Sequence, residues 1–393
     1  MTRIILSSFK RHLTWWWASI WPGRHPDAPL HLRRWIFLLI AYPIFLAIQA
    51  GHWVGLLCDE LFFPDYRKVE VKAPVFITGI PRSGTTFLHR TLAVDDSQFT
   101  TVSMWEALLA PSLTQRHIIR GFAALDRVFG SPVRRGVHWG MARRSGDFDK
   151  IHELGWRAPE EDYLFLLPAG GCFILLMAFP FSDSLSTLAR LDAADPAERR
   201  QLLEFYRSCL QRHLYEHGSG RSLLSKNAAF ATWSDALFEF FPDMRLLVCV
   251  RKPAAALSSQ LSSLRPARQF FAADPGGNWT SRQFTEILKH SYAYLADFLA
   301  THANRPIAAI DHADLAAHPA ACITRALGHA GIGTSAKLCE HIDSLEPHEG
   351  SRHRHSLPAD DPEFDAFKRC TEPDYAAILQ SSARVRPGST PDA

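Results

Sequence analysis

The run Gly79-Ile80-Pro81-Arg82-Ser83-Gly84-Thr85-Thr86 carries two glycines, an arginine between them and hydroxyl residues on either side of the second glycine. Strand formers precede it at Val75-Phe76-Ile77, and Phe87, Leu88, Thr91 and Leu92 follow at helical spacing. Strand, glycine-bounded turn and helix make a phosphate-binding βα unit, in which backbone N–H groups at a helix start face an anion. The spacing is nearly that of a Walker A loop, but Thr85 stands where that loop has its lysine, and the positive charge sits inside the turn on Arg82. Such a loop suits a phosphate-bearing ligand that needs no metal-bridged γ-phosphate. A second anchor is Val250-Arg251-Lys252-Pro253, where a strand ends in two cations instead of the aspartate that would hold magnesium. Ser259 follows eight residues after Arg251, inside the next helix. The chain therefore offers two phosphate sites without a metal ligand, and a donor with two separate phosphate-like groups fits them.

The elements that must position these residues alternate. Strands are expected at 75–77, 223–225, 245–250 and 307–310, and helices at 196–217, 233–241, 254–263, 284–300 and 320–330, with 103–170 mainly helical. Asp195 before Pro196, with Glu198 three residues on, is a helix start signal. Alternation of this kind implies an α/β fold, a P-loop-NTPase-like parallel sheet flanked by helices, with helical insertions and an N-terminal hydrophobic helix. The domain reading is a basic aromatic segment over 1–34, a membrane-associating helix over 35–62, a catalytic domain over 63–380 and a loose tail over 381–393. At 393 residues, 47% hydrophobic and 21% charged, the chain is globular and not disordered. A formal charge of +3 argues against a bulk nucleic-acid binder. Seven widely spaced cysteines with no C-x-x-C exclude a zinc ribbon or a disulfide scaffold.

The first tenth of the chain is unusual for a soluble enzyme: Trp15, Trp16, Trp17, Trp21 and Trp35 lie among Lys10, Arg11, Arg24, Arg33 and Arg34. Trp35–Ile48 then holds no charge, and the apolar run reaches spanning length only by including Pro43, Gln49 and His52. It can span, lie in the interface or cover the core. Cationic, Trp-rich flanks favour an interfacial helix.

Pro81-Arg82-Ser83-Gly84-Thr85-Thr86-Phe87 resembles the 5′-phosphosulfate loop of the sulfotransferases that use 3′-phosphoadenosine 5′-phosphosulfate (PAPS). The closest likeness is to the bacterial branch whose loop reads P-R-S-G-T-T-F-L-H. Arg251 with Ser259 is similar to that family's 3′-phosphate site. The resemblance extends over residues 60 to about 360. It takes in Thr101–Glu106, Pro159-Glu160-Glu161-Asp162, Leu224-Ser225-Lys226-Asn227, Ile310-Asp311-His312-Ala313-Asp314-Leu315 and Arg354-His355-Ser356-Leu357. Lys226-Asn227 departs from the branch's usual Lys-Ser-Pro, and no clean G-x-x-G-x-W element is present, which leaves Arg352 and Arg354 as guesses for the far end of the nucleotide.

The resemblance implies transfer of a sulfuryl group from PAPS, without a metal, to a hydroxyl acceptor. Arg82 and the backbone N–H groups of Ser83, Gly84, Thr85, Thr86 and Phe87 would hold the phosphosulfate, Arg251 and Ser259 the 3′-phosphate, and Lys226 the sulfuryl or bridging oxygen. Glu106, 24 residues after Arg82, is the first choice for general base. Glu160, Glu161 and Asp162 are second, His353 and His355 weaker, and His89 is read as packing. The aromatic N-terminus points to a lipid, aminolipid or glycolipid acceptor reached from the cytoplasmic face of a membrane. A soluble carbohydrate or phenol, a P-loop kinase or ATPase, and a non-catalytic scaffold are the alternatives.

Overall fold

The computed structural model describes residues 2–21, 25–132, 135–136, 158–218, 220–347 and 362–385. Five strands, β1 (Val75–Gly79), β2 (Phe99–Thr100), β3 (Ser222–Lys226), β4 (Arg245–Val250) and β5 (Ile307–Asp311), form one parallel sheet in the order β2-β3-β1-β4-β5. β1 is buried along its whole length, as a central strand covered on both faces must be. One apolar core lies on the side of the helices Pro196–His217 and Asn278–Thr301. The other packs under the helices Thr85–Leu92 and Pro319–His329.

Four of the five strands follow the hydrophobic runs of the sequence; β2, only two residues long, gave no periodic signal. Of the stretch 103–170 expected to be mainly helical, Met104–Leu109 and Leu113–Val128 are helices and Asp162–Leu166 is a 3₁₀ turn, while 137–157 lie outside the described residues. The helix expected to stop at Ser263 continues to Phe271 through Pro266. The tail was expected to be loose from 381 onward. Instead Ala309 donates to the carbonyl of Ala383 and accepts from the N–H of Val385, so these residues shield the open edge of β5.

The hydrophobic segment is one helix, Leu32–Phe62. Proline cannot donate to the carbonyl four residues back, and the helix widens into a π turn over Phe37–Ala41, just before Pro43. One side of the helix is packed into the domain, and the polar residues on that side have protein partners. Arg34, fully buried, donates to the carbonyls of Phe271 and Ala178 at 2.9 and 2.8 Å and lies over the rings of Phe37 and Phe179. Asp59 pairs with Arg212 at 2.8 Å, both fully buried. A helix surrounded by lipid leaves no room for such partners. Its other side is apolar and exposed from Leu32 to Phe62. The helix therefore packs one side on the domain and leaves the other exposed, with length and composition still sufficient to cross a bilayer.

Candidate active site

The chemistry-bearing residues follow the carboxyl ends of the strands, where open parallel sheets bind ligands. The turn after β1 needs its glycines. A side chain on Gly79, at φ 129°, would place Cβ 2.0 Å from the Cys249 carbonyl oxygen. Gly84, at φ 94°, caps the helix Thr85–Leu92 in a left-handed conformation. Arg82 also takes positive φ, 66°, which turns its carbonyl toward β4. There it accepts from the Arg251 guanidinium at 2.9 Å, while Arg82 Nε donates to Ser259 Oγ at 3.2 Å. Tyr292 donates to the Arg251 carbonyl at 2.5 Å and fixes the start of the following helix. Arg82, Arg251 and Ser259, 177 residues apart at the extremes, thus meet at one rim.

That rim opens into a cavity of about 1060 Å³. Gly84, Thr85, Thr86 and His312 line it on the loop side, and Phe173, Met177, Leu264, Phe284 and Phe364 on an apolar side. Among the described residues neither Arg82 nor Arg251 is ion-paired with a carboxylate. Partial burial and the neighbouring Arg82 charge lower the Arg251 pKa. Two unneutralised cations at one cavity mouth repel each other, and an anion between them removes that cost.

The other sequence-predicted residues are placed differently. The Ser83 hydroxyl is buried and donates to the Ile80 carbonyl at 2.5 Å, so it braces the turn, and only its backbone remains for a ligand. Phe87 packs against the apolar core beneath the helix. Lys226 is buried behind the cavity wall, with Nζ 2.8 Å from Glu161 Oε1 and 4.0 Å from Glu160. Glu161 itself lines the cavity. Its segment is anchored by Asp162, which accepts from Tyr206, Ser225 and Asn227, while Asn227 accepts from the N–H of Tyr163. Full burial raises the Asp162 carboxyl to about 6 against the lowering effect of those bonds. His89 is buried on its helix and donates from Nε2 to the Leu224 carbonyl at 3.4 Å, a packing role. Arg352, His353, Arg354 and His355 lie outside the described residues.

Glu106, the first-choice base, does not line the cavity. It is the N3 residue of a capping box: its Oε2 accepts from the Ser103 N–H at 3.0 Å and from the Ser103 hydroxyl at 2.6 Å. Its Oε1 lies 2.5 Å from His217 Nε2, 3.5 Å from Arg116 and 3.7 Å from His213 Nδ1. Burial opposes ionisation here, but the imidazoles and the Arg116 charge overcome it and hold the carboxyl far below the usual range. A carboxylate so stabilised is a poor proton acceptor. The three groups Glu106, His213 and His217 have metal-like spacing, yet Arg116 already supplies the counter-charge.

His213 gives this network a pH signature. Burial lowers its pKa to about 4, so it stays neutral in the fold where the unfolded chain protonates near 6.5. His12, also near 4, and His89, near 3, have the same sign, and Glu106 loses its ionic stabilisation still lower. Asp162 works in the opposite direction below 6. Between pH 6.5 and 4 the unfolded chain binds more protons, so stability falls as pH falls. Thermal melts across that range should show a declining midpoint, with a flatter slope in His213→Gln.

Sequence reasoning ranked Glu161 second and did not single out His312, Tyr163, Phe284 or Phe364. The signal for His312 was present, since it directly follows the end of a strand, Asp311. Tyr163 lies two residues after Glu161 in a 3₁₀ turn, and Phe284 and Phe364 gave no signal because they reach the cavity from helices distant in the chain.

A parallel α/β sheet with a glycine-bounded loop after β1 and cations where a Walker B aspartate would follow β4 is the arrangement of a P-loop-type fold that binds phosphate groups. The sulfotransferase family profile matches residues 74–336, two-thirds of the chain, and the protein belongs to that family. Its activity is sulfuryl transfer. No curated protein matches the chain. Among solved structures it is similar to the sulfotransferase STF1 of Mycobacterium tuberculosis, at 16% identity over 93% of this chain and 92% of that one, TM-score 0.66. It is equally similar to STF9 of Mycobacterium avium, at 17% identity over 96% and 95%, TM-score 0.66. At such identities the likeness speaks for the fold.

Proposed function

We propose that the protein transfers the sulfuryl group of PAPS to the hydroxyl of an amphiphile, a lipid, aminolipid or glycolipid, at the cytoplasmic face of a membrane. The observation that carries this reading is the convergence of Arg82, Arg251 and Ser259 on one cavity whose far side is apolar. The loop N–H groups and Arg82 take the 5′-phosphosulfate, and Arg251 with Ser259 takes the 3′-phosphate. The acceptor oxygen forms a bond to sulfur as the bond from sulfur to the bridging oxygen breaks. That electron pair leaves on the 5′-phosphate, where Arg82 meets the growing charge. The acceptor proton goes to Glu161, which faces the cavity and is held by Lys226. The apolar wall accommodates the acceptor's hydrocarbon.

The support for an amphiphile is the join between cavity and apolar helix. The helix Pro253–Phe271 lines the cavity near its start, and at its end Phe271 meets Phe37 edge to face at 5.6 Å and accepts a hydrogen bond from Arg34. Peripheral attachment through Leu32–Phe62 places the bilayer beside that helix.

Labelled PAPS should transfer its label to a component of a host lipid extract, in the presence of a magnesium chelator. Label entering only soluble phenols or carbohydrates would refute the amphiphile, and a requirement for magnesium and ATP would restore the kinase alternative. Glu161→Gln should lower turnover on the order of 10²–10⁴-fold. Its affinity for adenosine 3′,5′-bisphosphate, measured by calorimetry, should stay unchanged. Full activity in that variant removes Glu161 from the mechanism.

A further inference from the structure

We infer that the helix Leu113–Val128 joins Thr2–Ile20 and Leu32–Phe62 in a platform that seats on an anionic bilayer surface. The inference deepens the membrane contact proposed above and rests on that reading.

The three helices are bound to one another through their inner sides. Trp16 donates to the Leu38 carbonyl at 2.8 Å, and His12 meets the Tyr42 hydroxyl at 2.9 Å. Asp59 accepts from the N–H groups of Leu113 and Thr114 and caps the third helix. The second and third helices cross closely at Gly55, where a Cβ would lie 2.4 Å from Ser112 Oγ.

Their outer sides are apolar. On the third helix Ile118, Phe122, Leu125 and Phe129 recur at helical spacing and are exposed, Phe122 at 69% and Phe129 at 70%. Trp17 and Trp21 are exposed on or just past the first helix at 68% and 61%. The second helix carries its exposed stripe along 31 residues, about 46 Å at the helical rise. A single protein seldom exposes so much contiguous apolar surface without a partner.

Charge decides which partner. The three helices hold eight Lys and Arg against three Asp and Glu. Of the acids, Asp59 is buried against Arg212 and Glu60 is bound to Arg67 and Arg212. Of the cations, Arg34 and Arg116 are buried and Arg11 and Arg120 are paired with Glu198 and Glu216, which leaves Arg3, Lys10, Arg33 and Arg127 at the surface. An apolar face rimmed by cations matches the interface of a bilayer with anionic headgroups. A second copy of the chain would bring the same cations together.

The full chain should co-sediment with phosphatidylcholine vesicles containing phosphatidylglycerol more strongly than with phosphatidylcholine alone. Salt should weaken the difference. Phe122→Asn should weaken vesicle binding roughly tenfold, the size expected when one aromatic side chain leaves an apolar contact. Its thermal midpoint and its affinity for adenosine 3′,5′-bisphosphate should not change. Arg33→Gln with Arg127→Gln should abolish the preference for phosphatidylglycerol. Wild-type binding by Phe122→Asn alongside lost binding by Ile44→Asn would overturn the role of the third helix and leave membrane attachment standing. No binding by the wild type to either vesicle would overturn both. Vesicle-independent dimers lost in Phe122→Asn would assign the face to a second copy and overturn the platform.

Discussion

Arg82→Ala is expected to lower turnover by about 10²–10³-fold, the usual cost of removing one preorganised donor to a developing oxyanion. Stability should hardly change, which separates a catalytic loss from a folding loss. Arg82 is exposed, its side chain makes one 3.2 Å bond to Ser259, and its φ of 66° is as strained for alanine as for arginine. The Arg251 guanidinium is bonded to the Arg82 carbonyl, which alanine retains. Removing the Arg82 charge also relieves repulsion on Arg251, so a small gain in stability is the consistent outcome. Single-turnover rates with labelled PAPS and a denaturant titration would measure both sides. Unchanged turnover would contradict the assignment of the loop. Arg82→Lys should recover part of the loss, since it restores charge but not the planar fork of donors.

Asp59→Ala is expected to destabilise the protein by about 3–5 kcal/mol, the range for breaking a buried pair from one side. The carboxylate touches Arg212 at 2.8 Å and receives the N–H groups of Leu113 and Thr114 at 2.9 and 2.8 Å, with the Thr114 hydroxyl at 2.8 Å. Alanine leaves a fully buried guanidinium, lying 3.9 Å over the Tyr66 ring, with only Glu60 at 2.9 Å as anionic partner among the described residues. It also uncaps the helix Leu113–Val128. Chemical denaturation gives the difference directly. A change under about 1 kcal/mol, the level of an exposed pair, would mean that the apolar helix is not docked on the domain as described.

The two predictions lie at different depths of legibility. Arg82 could be named from eight contiguous residues, because an anion loop is a local backbone geometry and its glycines mark it. Arg251 and Ser259 were readable for the same reason, as a strand end and one turn pattern in the helix after it. The pairing of Asp59 with Arg212 carried no local signal. Asp59 sits beside Glu60 and Arg212 is one of several charges in its helix, and only the crossing of Leu32–Phe62 with Pro196–His217 makes them partners. Glu106 and Glu161 show the same limit. Both are acids after a structural break, and Glu106 had the more favourable chain distance from Arg82. The capping box takes Glu106 out of reach, and the ion pair with Lys226 at 2.8 Å turns attention to Glu161.

By itself the sequence determined the class of fold, the glycine-bounded turn after β1, the cations in place of an acid after β4, and the presence of a helix too apolar for an ordinary surface. These depend on residue types within one element, where periodicity and turn geometry leave few options. The tertiary structure alone decided which carboxylate faces the cavity, how the apolar helix buries its polar side while exposing the other, and that a third helix extends the exposed apolar surface. Those outcomes depend on which sides of distant elements meet, and desolvation of a charge is settled only once its neighbours are in place.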